Sequence, residues 1–210
     1  MTRGPFITLE GIEGAGKSSN LSYVQDLLMR AGRNVVVTRE PGGTALGERI
    51  RELLLHSRDV DISPDTETLL IFAARADHLQ KLVLPALAQG KTVVCDRFTD
   101  ATYAYQGGGR AVTYERIAAL ETWVQRELRP DLTLLFDVAA AIGLERAGSR
   151  SSPDRFERED HEFFERVRQA YLDAARRDPK RIRVIDAGTD PAQVRLQVNR
   201  VIEDFLRGVD

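Results

Sequence analysis

An apolar run, Phe6-Ile7-Thr8-Leu9, breaks into glycines and is followed by a lysine and two serines: FITLEGIEGAGKSSN, residues 6–20. From Ser18 to Met29 apolar residues recur at helical spacing. A strand and a helix are thus joined by a turn holding Gly11, Gly14 and Gly16. So many glycines cost backbone entropy, so the turn must need main chain more than side chains. Gly11, four residues, then Gly16-Lys17-Ser18 is the spacing of a phosphate-cradling P-loop. Backbone N–H groups from Gly11 through Ile12, Glu13, Gly14, Ala15 and Gly16 to Lys17, Ser18 and Ser19 can form an anion nest. The helix that follows adds its positive N-terminal end. Lys17 can neutralise a phosphate, and the Ser18 hydroxyl suits Mg2+. The stretch grips a nucleoside triphosphate, with ATP the expected ligand.

Such a loop needs a strand before it and a helix after it, and the rest of the chain continues that alternation. Apolar, β-branched runs at 6–10, 34–38, 92–96, 132–137 and 182–186 read as strands. Helical patterns cover 17–31, 44–55, 65–89, 99–106, 113–128, 140–147, 160–176 and 190–207. This is the signature of an α/β fold, a parallel sheet with helices on both faces, binding ligands beyond the carboxyl ends of its strands. Residues 1–210 read as one domain without repeats or linkers. Pro85 is expected at a bend, and QGGGR, residues 106–110, as a very flexible loop. The segment AGSRSSPDRFERED, residues 147–160, carries small residues, a proline and the arginines Arg150, Arg155 and Arg158. In a phosphate enzyme it reads as a mobile basic lid.

Composition narrows the partners. A formal charge of −2 argues against bulk electrostatic binding to nucleic acid or membrane. No apolar run approaches bilayer length, and the N-terminus runs straight into the first strand without a signal peptide. The single cysteine, Cys95, sits in the apolar run TVVC as a structural thiol. The expected location is cytoplasmic. His56, His78 and His161 are scattered and read as surface residues without metal-ligand spacing.

Phosphoryl transfer needs a metal carboxylate besides the loop. Asp96 closes the strand of VVCDRF and is the first candidate; Asp137, closing LTLLFD, is the second, with helix capping as its other reading. Arg97 beside Asp96 can clamp another phosphate group. A guanine switch would carry N-K-x-D and D-x-x-G, and neither is present. A kinase acting on a small acceptor remains.

LEGIEGAGKSS, TREPGGTALGERIRELLL, LLIFAARADHL, CDRFTDATYAYQGGGR and DRFERED occur in this order, and together they resemble the bacterial thymidylate kinases over nearly the whole chain. The resemblance implies transfer of the γ-phosphoryl group of ATP to dTMP, a five-stranded parallel sheet of the P-loop NTPase type, Mg2+ held by Ser18 and Asp96, and a homodimer. It places Glu13 near the acceptor's sugar and phosphate, and gives Arg39 and Arg97 the acceptor phosphate. Thymine stacks on Phe72 and meets Arg75, although some relatives place the aromatic four residues before the arginine, not three. Tyr105 packs under the deoxyribose, with Thr102 and Gln106 towards the base, while Tyr103 points elsewhere. The P-loop lacks the arginine that some relatives carry there, so Arg150, Arg155 or Arg158 of the lid is expected to supply the catalytic cation; Arg150 has a second reading, stacking on adenine. The competing readings are a deoxynucleoside kinase acting on a sugar hydroxyl and a nucleotide-binding switch.

Overall fold

Phe6–Glu10 (β1) is buried along its whole length, as the central strand of a doubly covered sheet must be. The computed structural model describes residues 3–56, 61–148 and 155–209. In it β1 is flanked by Thr92–Asp96 (β3) and Leu132–Asp137 (β4), with Val35–Arg39 (β2) and Ile182–Asp186 (β5) at the edges. The order is β2-β3-β1-β4-β5, and every pair is parallel. The expected fold class and all five expected strands are present.

The sheet's two faces feed separate cores because side chains alternate along a strand. Ile7, Leu9 and Val94 join one core with Val24 and Leu28 of Lys17–Arg30 (α1), and Val198 and Ile202 of Pro191–Val209 (α9). Phe6, Val93 and Cys95 face the other, with Leu79, Val83 and Phe98. Cys95 is fully buried, and burial pushes its thiol well above its ordinary range, as befits a structural residue.

The remaining helices are Ala45–His56 (α2), Pro64–His78 (α3), Leu84–Ala88 (α4), Thr99–Thr102 (α5), Tyr114–Gln125 (α6), Ala140–Gly148 (α7) and His161–Arg177 (α8). Ser63 caps α3 by accepting from Thr66 N, with Pro64 opening the first turn. Asp160 caps α8, accepting from Phe163 N at 2.7 Å. The helical pattern over 65–89 is interrupted by a π-helical turn, Leu79–Val83, which directly precedes the segment holding Pro85. Among the described residues no helix is long and apolar enough to cross a membrane.

Two expectations fail here. QGGGR is not a free loop: Gln106 to Gly109 complete a π-helical segment, Tyr103–Gly109, packed on α6 and α8. The glycines serve close approach. A Cβ on Gly107 would lie 2.4 Å from the Tyr114 ring, on Gly108 2.7 Å from Ala170 Cβ, and on Gly109 2.4 Å from the Phe163 ring. His78 is not at the surface either. It is fully buried, with Nε2 2.7 Å from Thr38 Oγ1 and Nδ1 2.9 Å from Glu40 Oε1.

Candidate active site

β1 and β3 end side by side, with Leu9 paired to Asp96 in register. The turn after β1 and the turn after β3 therefore open on the same space. Gly11 (φ 136°), Gly14 (φ 68°) and Gly16 (φ 88°) take backbone conformations that side chains resist. Gly14 has a second constraint, since a Cβ there would meet Gly143 O of α7 at 1.9 Å. Gly16 precedes α1, whose first turn holds no acidic residue and whose N-terminus has no side-chain cap. Its first N–H groups are thus available to an anion. Ile12 and Ala15 are buried, so they offer the site their backbone, while Ser18 and Ser19 are exposed. Lys17 Nζ folds back on its own loop, donating to Gly11 O and Ile12 O at 2.8 Å each. Burial and the charge of Arg97 lower its pKa to about 8, against the pull of Asp96, Glu13 and Glu10.

Asp96 and Arg97 occupy the facing turn. Asp96 Oδ1 is buried without a hydrogen-bond partner among the described residues. An acceptor left in that state fits a hydrated cation, and Ser18 lines the same cavity. Asp137, the other candidate carboxylate, is paired with Arg168, which donates from Nε at 2.7 Å and Nη2 at 3.0 Å, and among the described residues its side chain accepts from no helix backbone N–H. Arg97 sits at φ 67°, and its guanidinium reaches Glu13 Oε1 at 2.7 Å and Gly11 O at 2.9 Å. Tyr105 Oη donates to Glu13 Oε2 at 2.5 Å, and its ring lies 4.8 Å below the Arg97 guanidinium.

Behind this turn lies a buried carboxylate, Glu10, which accepts from Phe98 N at 2.7 Å and Tyr171 Oη at 2.8 Å. Burial, reinforced by Asp100, raises its pKa to about 7.

A cavity of about 260 Å³ runs from the P-loop to Arg75 and Gln106. Glu13, Lys17, Ser18, Asp96 and Arg97 line it at one end. Thr102, Tyr105 and Gln106 also line it. Tyr103 is turned away, donating to Glu121 Oε2 at 2.6 Å and packing edge-on against Tyr114. Arg75 is almost fully buried, between the rings of Phe72 and Phe98 at 4.8 and 4.9 Å. It donates to Glu40 Oε2 at 2.7 Å and Thr102 Oγ1 at 3.0 Å.

Three expected site residues lie elsewhere. Phe72 packs into a core with Val112 and Ile117, and Ile71, four residues before Arg75, takes the cavity position on α3. On a helix, residues four apart share a face and adjacent ones do not. Arg39 is half exposed, pairs with Glu48 at 2.9 Å and does not line the cavity. Arg51 does line it, donating to Pro41 O at 3.0 Å, and its pKa is lowered by burial and by the charges of Arg39 and Arg97. The sequence held a signal for it: Arg51, Leu54 and Leu55 stand three and four apart, and all three line the cavity. Arg155 donates to Leu54 O at 2.8 Å and to the Glu67 carboxylate, and is not a cavity residue. A buried carboxylate without a partner is costly, so Glu67 claims the arginine that reaches it. Arg150 lies outside the described residues. Phe156, next to Arg155, lines the cavity instead.

Comparisons with known proteins point to one family. The family model described as thymidylate kinase matches residues 9–198. The chain is 59% identical over 203 residues to the thymidylate kinase of Ectopseudomonas mendocina (strain ymp), covering 97% of each. It is 56% identical over 205 residues to that of Nitrosomonas europaea, covering 98% of this chain and 95% of the relative. The crystal structure of thymidylate kinase from Ehrlichia chaffeensis superposes with a TM-score of 0.77 at 36% identity, covering 96% of this chain and 99% of that one. The chain belongs to the thymidylate kinase family.

Proposed function

We propose that the chain transfers the γ-phosphoryl group of ATP to dTMP, giving dTDP and ADP. One observation carries the reading: Arg51, Arg97 and Lys17 line the same cavity as Arg75 and Gln106. An acceptor that already bears a phosphate has its charge met by the arginines, and its base reaches the buried donors. The acceptor's phosphate oxygen forms the new bond to the γ-phosphorus as the bond to the ADP oxygen breaks. That oxygen is already ionised near neutral pH, so no general base is needed. A sugar hydroxyl would need one, and of the carboxylates at this end of the cavity Glu13 is committed to Arg97 and Tyr105 while Asp96 is the proposed Mg2+ carboxylate. This disfavours a deoxynucleoside kinase.

The chain's own groups supply the rest. The P-loop amides and the N-terminus of α1 hold the donor phosphates, and Lys17 exchanges its loop carbonyls for a phosphate oxygen. Arg97 and Arg51 fix the acceptor phosphate and meet the charge that spreads over the transferring oxygens. Ser18 and Asp96 would hold Mg2+, Asp96 through water, and the bound ion neutralises phosphate charge. Arg150 is proposed as the lid cation, since Arg155 is engaged with Glu67. Phe156 and Tyr105 exclude water from the acceptor side. The proposed assembly is a homodimer, supported by exposed Trp123 on α6 and Leu69 on α3, two helices that pack together. A cytosolic location follows from the soluble nucleotide substrates and fits the single buried thiol.

The deciding assay measures ADP release with ATP, Mg2+ and a panel of dTMP, dUMP, dGMP and thymidine. Highest kcat/KM on dTMP is expected. Turnover of thymidine but not dTMP would overturn the proposal.

A further inference from the structure

Glu67, on α3, is fully buried and does not line the cavity. Its two oxygens serve different parts of the molecule. Oε1 accepts from Gln106 Nε2 at 2.8 Å, and Gln106 lines the cavity. Oε2 accepts from the Arg155 guanidinium, with Arg110 Nε 3.6 Å from the same oxygen. Arg155 also ties down the end of α2: its Nε donates to Leu54 O at 2.8 Å and its backbone N to Leu55 O at 3.1 Å. Arg110 reaches on to Glu159 at 2.7 Å. The end of the lid segment is therefore held at Arg155 and Glu159 through groups that converge on one carboxylate.

The energetics make this carboxylate a shared element. A buried charge demands a partner, and among the described residues undocking Arg155 leaves Oε2 with only the more distant Arg110. Arg155 also lies over the Phe156 ring at 4.7 Å, and that ring, which lines the cavity, has its centroid 5.8 Å from that of Tyr105. On the other oxygen, one N–H of the Gln106 amide is committed to Glu67, which fixes the orientation of the amide whose remaining N–H and carbonyl can meet a ligand.

We propose that Glu67 is a positioning residue that couples recognition of the acceptor base through Gln106 to docking of the lid segment through Arg155. The proposal rests on the reading of the cavity as the dTMP site. Coupling of this kind is reciprocal: the docked segment tightens acceptor binding, and the acceptor protects the docked segment by the same factor.

The test uses the full-length protein with Glu67→Gln, Arg155→Met and the double variant. Each single variant should raise KM for dTMP about tenfold, the scale of one lost charged hydrogen bond, with KM for ATP within about twofold. The double variant should be no worse than the more damaged single one, because both act through one contact. Hydrogen exchange read on a peptide covering 155–159 supplies a readout independent of turnover. In wild type dTMP should slow that exchange; in Glu67→Gln exchange should be faster without ligand and less protected by dTMP. Faster exchange with an unchanged KM for dTMP in both variants would reduce Glu67 to a tether and overturn the coupling. Additive KM effects in the double variant would overturn it too. If Glu67→Gln fails to fold, Arg155→Met decides, since Arg155 lies near the surface. If wild type proves inactive on dTMP, the functional reading fails separately, and the exchange experiment judges the coupling with whichever acceptor the panel identifies.

Discussion

Arg97 Nη2 lies 2.7 Å from Glu13 Oε1, joining the turn after β3 to the inside of the P-loop. The same guanidinium holds Gly11 O at 2.9 Å, so one planar fork spans two groups of the loop. A lysine carries the charge but cannot form that fork. Arg97→Lys should lower kcat/KM for dTMP by about 10², within the range for removing a preorganised electrostatic contact. Steady-state kinetics decide it, and a loss under threefold would mean that charge alone suffices.

Lys17→Ala should lower kcat by on the order of 10²–10³, because its charge acts on the transferring oxygens. The two loop carbonyls that it bonds also lose this donor, although Gly11 O keeps Arg97, so circular dichroism and Tm must show a folded protein. Near-normal turnover in a folded variant would remove Lys17 from the chemistry.

Arg75→Ala is expected to act on stability as well as recognition. Glu40 is 4% exposed and pairs with both Arg75 and His78. Removing one member of a buried pair costs about 3–5 kcal/mol. Urea unfolding should register that loss, while the folded fraction shows a raised KM for dTMP and little change for ATP. Full stability with a raised KM would mean that the arginine serves the ligand alone.

Glu10 sets a pH dependence. Its folded pKa is raised to about 7 by burial and Asp100, above the ordinary 4.5 of the unfolded chain. Between these values the folded protein keeps a proton that the unfolded chain has lost, so stability falls as pH rises through this window and levels off above it. At 1.36 kcal/mol per unit the full effect is about 3 kcal/mol. Glu10→Gln lacks the titration, so its stability relative to wild type should improve on going from pH 5 to pH 7.5. Unfolding curves at both pH values test this, and an equal difference at the two would refute it.

Much of this molecule is written locally. The five strands and the P-loop follow from side-chain periodicity and glycine spacing, which act over a few residues and depend little on what packs around them. Asp96 and Arg97 were legible for the same reason, as residues closing a strand beside that loop. Contacts between distant segments decided the rest. Whether Ile71 or Phe72 faces the cavity depends on how α3 is rotated by its packing on α6. The glycines of 107–109 read as flexible until the rings of Tyr114 and Phe163 stand against them. His78 and Glu67 carry no sign of burial in their own neighbourhoods. Their partners Thr38, Glu40, Gln106 and Arg155 lie 38 to 88 residues away, and a buried polar group is defined by the partner that satisfies it.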